Sequence, residues 1–193
     1  DWHGDVRREG LRLKPLYKKL SKGEITERKA QRILAEFPRH RLMQRYFDDP
    51  RFDIGFTGAD GMALEKFTFM RPYMRDRITQ QAFRKYKYLL VLRGMDVGSS
   101  FYWTMNSGSL GLVMEGPFET FASGHFQPWE HYVPFKADLS DLEQRISWCR
   151  DNDEACREMA HKAQDVCAFI GQASLRAEIS RQVIGRLEKQ IKG

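Results

Sequence analysis

The sequence predicts an α/β domain: a parallel sheet between helices, with a helical arm before it and helices after it. Three observations predict this. Tyr86–Leu92 is a short apolar run closed by Gly94, the pattern of a strand buried on both faces of a parallel sheet. Two further short apolar segments, Ser109–Met114 and His131–Lys136, follow at spacings that leave room for helical or looped crossovers. From Asp138 onward the only periodicity is helical.

Taken in order, residues 10–35 read as helical, with Leu11, Leu13, Leu16, Tyr17 and Leu20 on one face and Ser21-Lys22-Gly23 as punctuation before a second helix from Glu27. Pro38 interrupts, and Arg39–Phe47 predicts a short helix. Asp53–Thr57 reads as a short strand, with Gly58–Gly61 as a turn. After the Tyr86–Leu92 strand comes a Gly-containing loop, Arg93–Ser99, then a helix over 100–106. Glu119–Ser123 predicts one helical turn. Pro134 marks the third strand as an edge or an end. Ser140 followed by Glu143 predicts a capping box. Asp151-Asn152-Asp153 breaks the helical tail, which resumes over Glu154–Gly171 and Ser174–Lys192. We divide the chain into a basic, mostly helical segment (1–50) and an α/β unit (51–193).

The formal net charge is +6, and it is unevenly placed: residues 1–45 hold 13 Lys/Arg against 6 Asp/Glu, and the rest is balanced. Such an arm suits a polyanionic partner or, equally, a solvated helix face. Three cysteines, Cys149, Cys156 and Cys167, lack metal-site spacing; on a continuous helix Cys149 and Cys156 sit two turns apart, too far for a disulfide. They read as small thiols of a reducing compartment. The chain opens at Asp1-Trp2-His3-Gly4 without an initiator Met, which leads us to expect further residues upstream.

Several blocks occur in a telling order: Lys87-Tyr88 through Arg93-Gly94-Met95-Asp96; Trp103; Ser107-Gly108-Ser109; Pro117-Phe118-Glu119-Thr120; Gln127-Pro128-Trp129-Glu130-His131-Tyr132-Val133-Pro134; and Asp138-Leu139-Ser140-Asp141-Leu142. This series resembles glycosyltransferase family 90, which includes bacterial lipopolysaccharide-modifying enzymes and protein O-glucosyltransferases. Upstream, Trp2-His3-Gly4 is similar to the family's Trp-Arg-Gly with His in place of Arg, and Arg39…Leu42…Asp53-Ile54-Gly55-Phe56 is similar to another family stretch. The resemblance implies a Rossmann-like parallel sheet, one half of a GT-B fold, and specifically the half that binds the UDP-sugar. The family's catalytic base lies in the other half, so it is not assigned here.

A nucleotide-sugar donor leaves as a diphosphate, and the growing negative charge needs guanidiniums, hydroxyls or backbone N–H groups. The candidate donor-binding residues are Arg39, Arg41, Arg93, Gly94, Asp96, Ser99, Ser100 and Glu119. The resemblance places an Arg near position 39 on the diphosphate; Arg39 is preferred and Arg41 is the runner-up. Ser99-Ser100 stand where eukaryotic relatives carry an Arg, and simple helix capping explains them as well. Asp96 and Glu119 are candidates for ribose or sugar hydroxyls, against loop or helix-start carboxylates. Phe101, Tyr102 or Trp103 could stack on uracil, although such aromatics at helical spacing are more often core. His131 reads as a hydrogen-bonded core histidine. No Asp-x-Asp pair falls at a strand end, since Asp151-Asn152-Asp153 sits between helices, so neither a catalytic divalent metal nor a cofactor besides the UDP-sugar is expected.

The expected function is transfer of a hexose or pentose from a UDP-sugar to a glycan or lipid-linked acceptor in lipopolysaccharide or capsule synthesis. The expected setting is the cytoplasm, with peripheral contact to an anionic membrane and no nucleic-acid partner. The alternatives are a non-catalytic domain that kept the fold and a basic nucleic-acid-binding α/β domain; titration with UDP and salt-dependent retention on DNA separate them.

Overall fold

The computed structural model describes residues 10–57, 64–93 and 97–192. Eight α-helices and three strands are found among them: α1 (Gly10–Ser21), α2 (Glu27–Leu34), α3 (Pro38–Tyr46), α4 (Gln80–Phe83), β1 (Tyr88–Val91), α5 (Ser99–Met105), β2 (Leu110–Met114), β3 (Val133–Phe135), α6 (Leu142–Asp151), α7 (Asp153–Ile170) and α8 (Ala173–Lys192). The strands form one sheet in the order β1-β2-β3, and both pairs are parallel, with Leu90 opposite Leu112 and Leu112 opposite Val133. This is the Rossmann-like α/β arrangement predicted, and Pro134 indeed sits in an edge strand, where its missing N–H leaves no gap in the ladder.

Alternation along the strands distributes side chains to two covered faces. Leu90, Leu112, Met114, Val133 and Phe135 pack against Leu42 and Tyr46 of α3, Leu142 and Cys149 of α6, and Cys156 and Met159 of α7. Val91 and Val113 pack on the other face against Phe101 and Met105 of α5, Ala163 and Val166 of α7, and Phe126. A third core joins Leu13, Tyr17 and Leu20 of α1 to Ala30 and Leu34 of α2, Phe37, and Met43 of α3, and continues into Phe56, Leu64 and Met70. Helix α3 therefore belongs to two cores at once and carries the helical arm onto the sheet.

Three local expectations are corrected. Asp53–Thr57 is not a strand: Phe56 makes an isolated bridge to Met74, with reciprocal bonds to Tyr73 and Arg75, and no ladder follows. The helical turn predicted at Glu119–Ser123 is a 3-10 turn displaced to Ser123–His125. Ser140 does not cap α6. The position before the helix is Asp141, whose carboxylate is committed to the Lys136 N–H (2.8 Å) and to Arg145 (3.0 Å), so the capping box has no acceptor to offer. The break read at Asp151-Asn152-Asp153 falls between α6 and α7, so Cys149 and Cys156 lie on separate helices. The chain breaks at Asn152, which brings the Cys156 thiol 3.5 Å from the Cys149 carbonyl; all three cysteines are free. Burial raises all three thiol pKa values, that of Cys149 to about 12.

Among the described residues no helix is long and apolar enough to cross a membrane. The apolar stripe of α8, Val183, Ile184, Leu187 and Ile191, is more than half exposed along its length.

Candidate functional site

In a parallel sheet of this kind the ligand end is the carboxyl end of the strands. Three segments meet there: Arg93 following β1, the first turn of α5, and the Glu115–Thr120 loop following β2. Arg93 is half-buried, and its side chain lies across Gly116, so closely that a Cβ at residue 116 would overlap it. The lack of a side chain at Gly116 lets the Arg93 guanidinium span from the end of β1 to the end of β2.

Helix α3 brings the second guanidinium. Pro38 occupies its first position, where a missing N–H costs nothing, and Arg39 follows in the first turn. The Arg39 Nη2 donates to the Arg93 carbonyl at 3.4 Å, so Arg39 reaches the end of β1 from a helix that packs on the sheet. Arg41 is turned elsewhere. Its Nε donates to the Ala35 carbonyl (2.9 Å) and its Nη2 to the Glu36 carbonyl (3.2 Å), which ties down the C-terminal end of α2. Two residues apart on a helix is a rotation of about 200°, so only one of the pair can face the strand ends.

His40 anchors this helix. It is buried, its Nε2 lies 3.3 Å from the Tyr17 hydroxyl of α1, and its ring packs on Phe56 with centroids 4.9 Å apart. Burial, with the neighbouring Arg39 charge second, pushes its pKa down to about 3, so the ring is neutral at ordinary pH.

Helix α5 is entered through Gly98 at φ 79°, a left-handed conformation natural to glycine. Ser99 is exposed and Ser100 half-buried in its first turn. Gly94 and Asp96 lie outside the described residues. Glu119 is exposed and folds over Gly124, where a Cβ would collide with its carboxylate. Its loop is held by Thr120, whose N–H donates to Ser123 Oγ (2.7 Å) and whose hydroxyl contacts the Tyr102 hydroxyl from α5.

The three aromatic residues of α5 diverge. Phe101 is core, in edge contact with Phe126 and Tyr132; Tyr102 reaches the loop after β2; Trp103 leans on Phe83. His131 is a core histidine as read from the sequence: it is buried, and its Nδ1 accepts the Gln127 N–H at 2.9 Å. Sequence reasoning missed Gly116 and the Tyr102–Thr120–Ser123 lock; the small Gly-Pro step directly after a strand was the only available sign.

Fold and site together define an α/β domain that presents two arginines across the carboxyl ends of adjacent parallel strands. Residues 41–177 match glycosyl transferase family 90, and the chain belongs to that family. It is 31% identical over 127 residues to the O-glucosyltransferase LpsA of Dichelobacter nodosus, a match covering 65% of this chain and 38% of that protein. It is 35% identical over 82 residues to protein O-glucosyltransferase 3 of Rattus norvegicus (42% of this chain, 16% of that protein). A 38% identical stretch of 88 residues also occurs in protein 027R of Frog virus 3, covering 43% of this chain and 9% of that protein. The chain thus spans well under half the length of each of these relatives.

Proposed function

We propose that this chain is the donor-binding part of a glycosyltransferase that moves a hexose or pentose from a UDP-sugar to a glycan acceptor, without a divalent metal. The observation that carries the proposal is the Arg39–Arg93–Gly116 arrangement in a member of this family. Two guanidiniums converge where an open parallel sheet binds ligands, Arg39 through its contact to the Arg93 carbonyl and Arg93 across Gly116. Arg39 and Arg93 hold the diphosphate and stabilise the charge that develops as it departs. Ser99 and Ser100 add hydroxyls, and Glu119 accepts from the ribose. Gly94 and Asp96 complete the loop in this reading. Two relatives are named O-glucosyltransferases, which favours glucose as the sugar; the resemblance to the bacterial branch favours a lipopolysaccharide or capsule glycan as the acceptor.

The helical arm fits work at an anionic membrane face. Lys18, Lys19, Lys22, Arg28, Lys29 and Arg32 are all exposed on α1, its end and α2, whereas the half-buried Glu27 accepts a hydrogen bond from the Thr68 N–H. Among the described residues of this arm, Tyr17 and Phe37 are buried and give the basic surface no aromatic platform for nucleobases, which disfavours nucleic acid.

Calorimetric titration with UDP and with uridine, each with and without EDTA, tests the reading. UDP binds in both buffers, and Arg39→Ala weakens UDP more than uridine, by the roughly 1.5–3 kcal/mol of a charge-assisted hydrogen bond. Equal weakening of both ligands, or loss of UDP binding in EDTA, would falsify the assignment.

A further inference from the structure

A groove lies at the opposite end of the sheet from Arg93 and Gly116. It has a volume of about 440 Å3 and is lined by Gln80, Gln81 and Arg84 from α4 and its C-terminal cap, by Trp103 and Asn106 from α5 and its cap, and by Ser107. Every one of these residues precedes a strand: the α4 segment leads into β1, and Asn106–Ser107 lead into β2. Topology therefore sets the groove at the amino ends, whereas Arg93 and Gly116 follow the same two strands. The four residues of β1 alone separate the two ends by about 13 Å.

The lining has a definite chemistry. Trp103 is half-buried and braced by Phe83, with ring centroids 5.2 Å apart at 47°, which leaves an indole surface at the groove. Around it, the side chains of Gln80, Gln81, Arg84 and Asn106 make no hydrogen bond to another described residue, whereas Ser107 is committed to the Thr104 carbonyl (2.7 Å) and the Ser109 N–H (3.1 Å). Among the described residues no carboxylate lines the groove, and the one charge there is Arg84. Uncommitted carboxamides that both donate and accept, set around one braced indole, match a pyranose ring. Its vicinal hydroxyls each donate and accept, and its C–H face packs on an aromatic surface. A nucleobase fits less well, because the single indole has no parallel partner ring to sandwich it, and a nucleotide held by Arg39 and Arg93 has its phosphates at the far end of the sheet.

We propose that this groove is a glycan-binding site, separate from the donor site, that takes a neutral hexopyranosyl unit. It goes beyond the donor reading and stands without it. On a transferase, such a site grips a saccharide chain away from the reacting end.

The test is a two-dimensional NMR titration of the chain with maltotriose and, separately, with cellotriose. The Trp103 indole N–H signal is assigned through Trp103→Phe. The expected result is a saturable shift of that signal and of the Gln81 and Asn106 carboxamides with at least one trisaccharide. In the surface variant Gln81→Ala/Asn106→Ala, affinity falls at least ten-fold, equivalent to about 1.4 kcal/mol, while UDP titrates as in the unmodified chain. Failure of the glycan site and failure of the donor site are thus read from separate ligands. No saturable shift with either trisaccharide, undiminished affinity in the double variant, or displacement of the trisaccharide by uridine overturns the proposal.

Discussion

Acid should loosen this protein through one histidine. His40 is buried between Tyr17, Phe56 and its own neighbour Arg39, and its pKa is held near 3 against an ordinary value of 6.5. The unfolded chain gains a proton on this ring as pH falls through 6.5, and the folded chain does not until pH approaches 3. The unfolded state thus binds more protons across that window, so stability is full above pH 6.5 and declines as pH drops below it. The loss approaches about 1.4 kcal/mol per pH unit and amounts to about 2 kcal/mol at pH 5. For a domain of this size, 2 kcal/mol corresponds to a fall in melting temperature of roughly 4–8 °C between pH 7.5 and pH 5. The paired Asp49, whose pKa is held down to about 2 by hydrogen bonds from Arg51, loses its charge only at lower pH. Thermal melts of the chain and of His40→Gln across this range provide the assay. Glutamine keeps a polar contact for Tyr17 without titrating, so its melting temperature should be nearly flat from pH 7 to 5. An unchanged slope in His40→Gln would show that the ring is not the acid-sensitive element.

Gly116→Ala places a Cβ where the Arg93 side chain now lies, so it should lift Arg93 off the strand ends and weaken UDP by about ten-fold in calorimetry with little change in melting temperature. Buried thiols with raised pKa values are poor nucleophiles, so Cys149 and Cys156 should resist a disulfide reagent at pH 8 until denaturant is added, leaving only the half-buried Cys167 to react slowly. The basic arm should hold the chain on anionic liposomes at low salt and release it at high salt, with reversal of charge at exposed Lys18 and Lys19 reducing sedimentation; binding unchanged by that reversal removes the membrane role.

The sheet was legible because its strands are apolar on both faces, a pattern that turns and surface helices do not produce. The helix break at Asp151–Asp153 was legible from its clustered Asx residues. Asp53–Thr57 alternates like a strand, yet pairing depends on a partner segment that the local pattern does not encode, and here only Met74 meets it. The Ser140 cap failed because tertiary partners claimed the neighbouring Asp141 first. At the site, the residue types were readable but not their directions. Composition cannot tell which of Arg39 and Arg41 faces the strand ends, since that depends on the phase of α3 against the sheet. Trp103 shows the same limit: its helical spacing fits either end of α5, and packing on Phe83 sends it to the groove at the amino ends.

The most direct test of the donor-site assignment is a crystal structure of the chain soaked with UDP. The account predicts the diphosphate at the carboxyl ends of β1 and β2, with Arg39 and Arg93 within hydrogen-bond distance of its oxygens and Gly116 beneath the Arg93 side chain. UDP bound with its phosphates away from both arginines would contradict it.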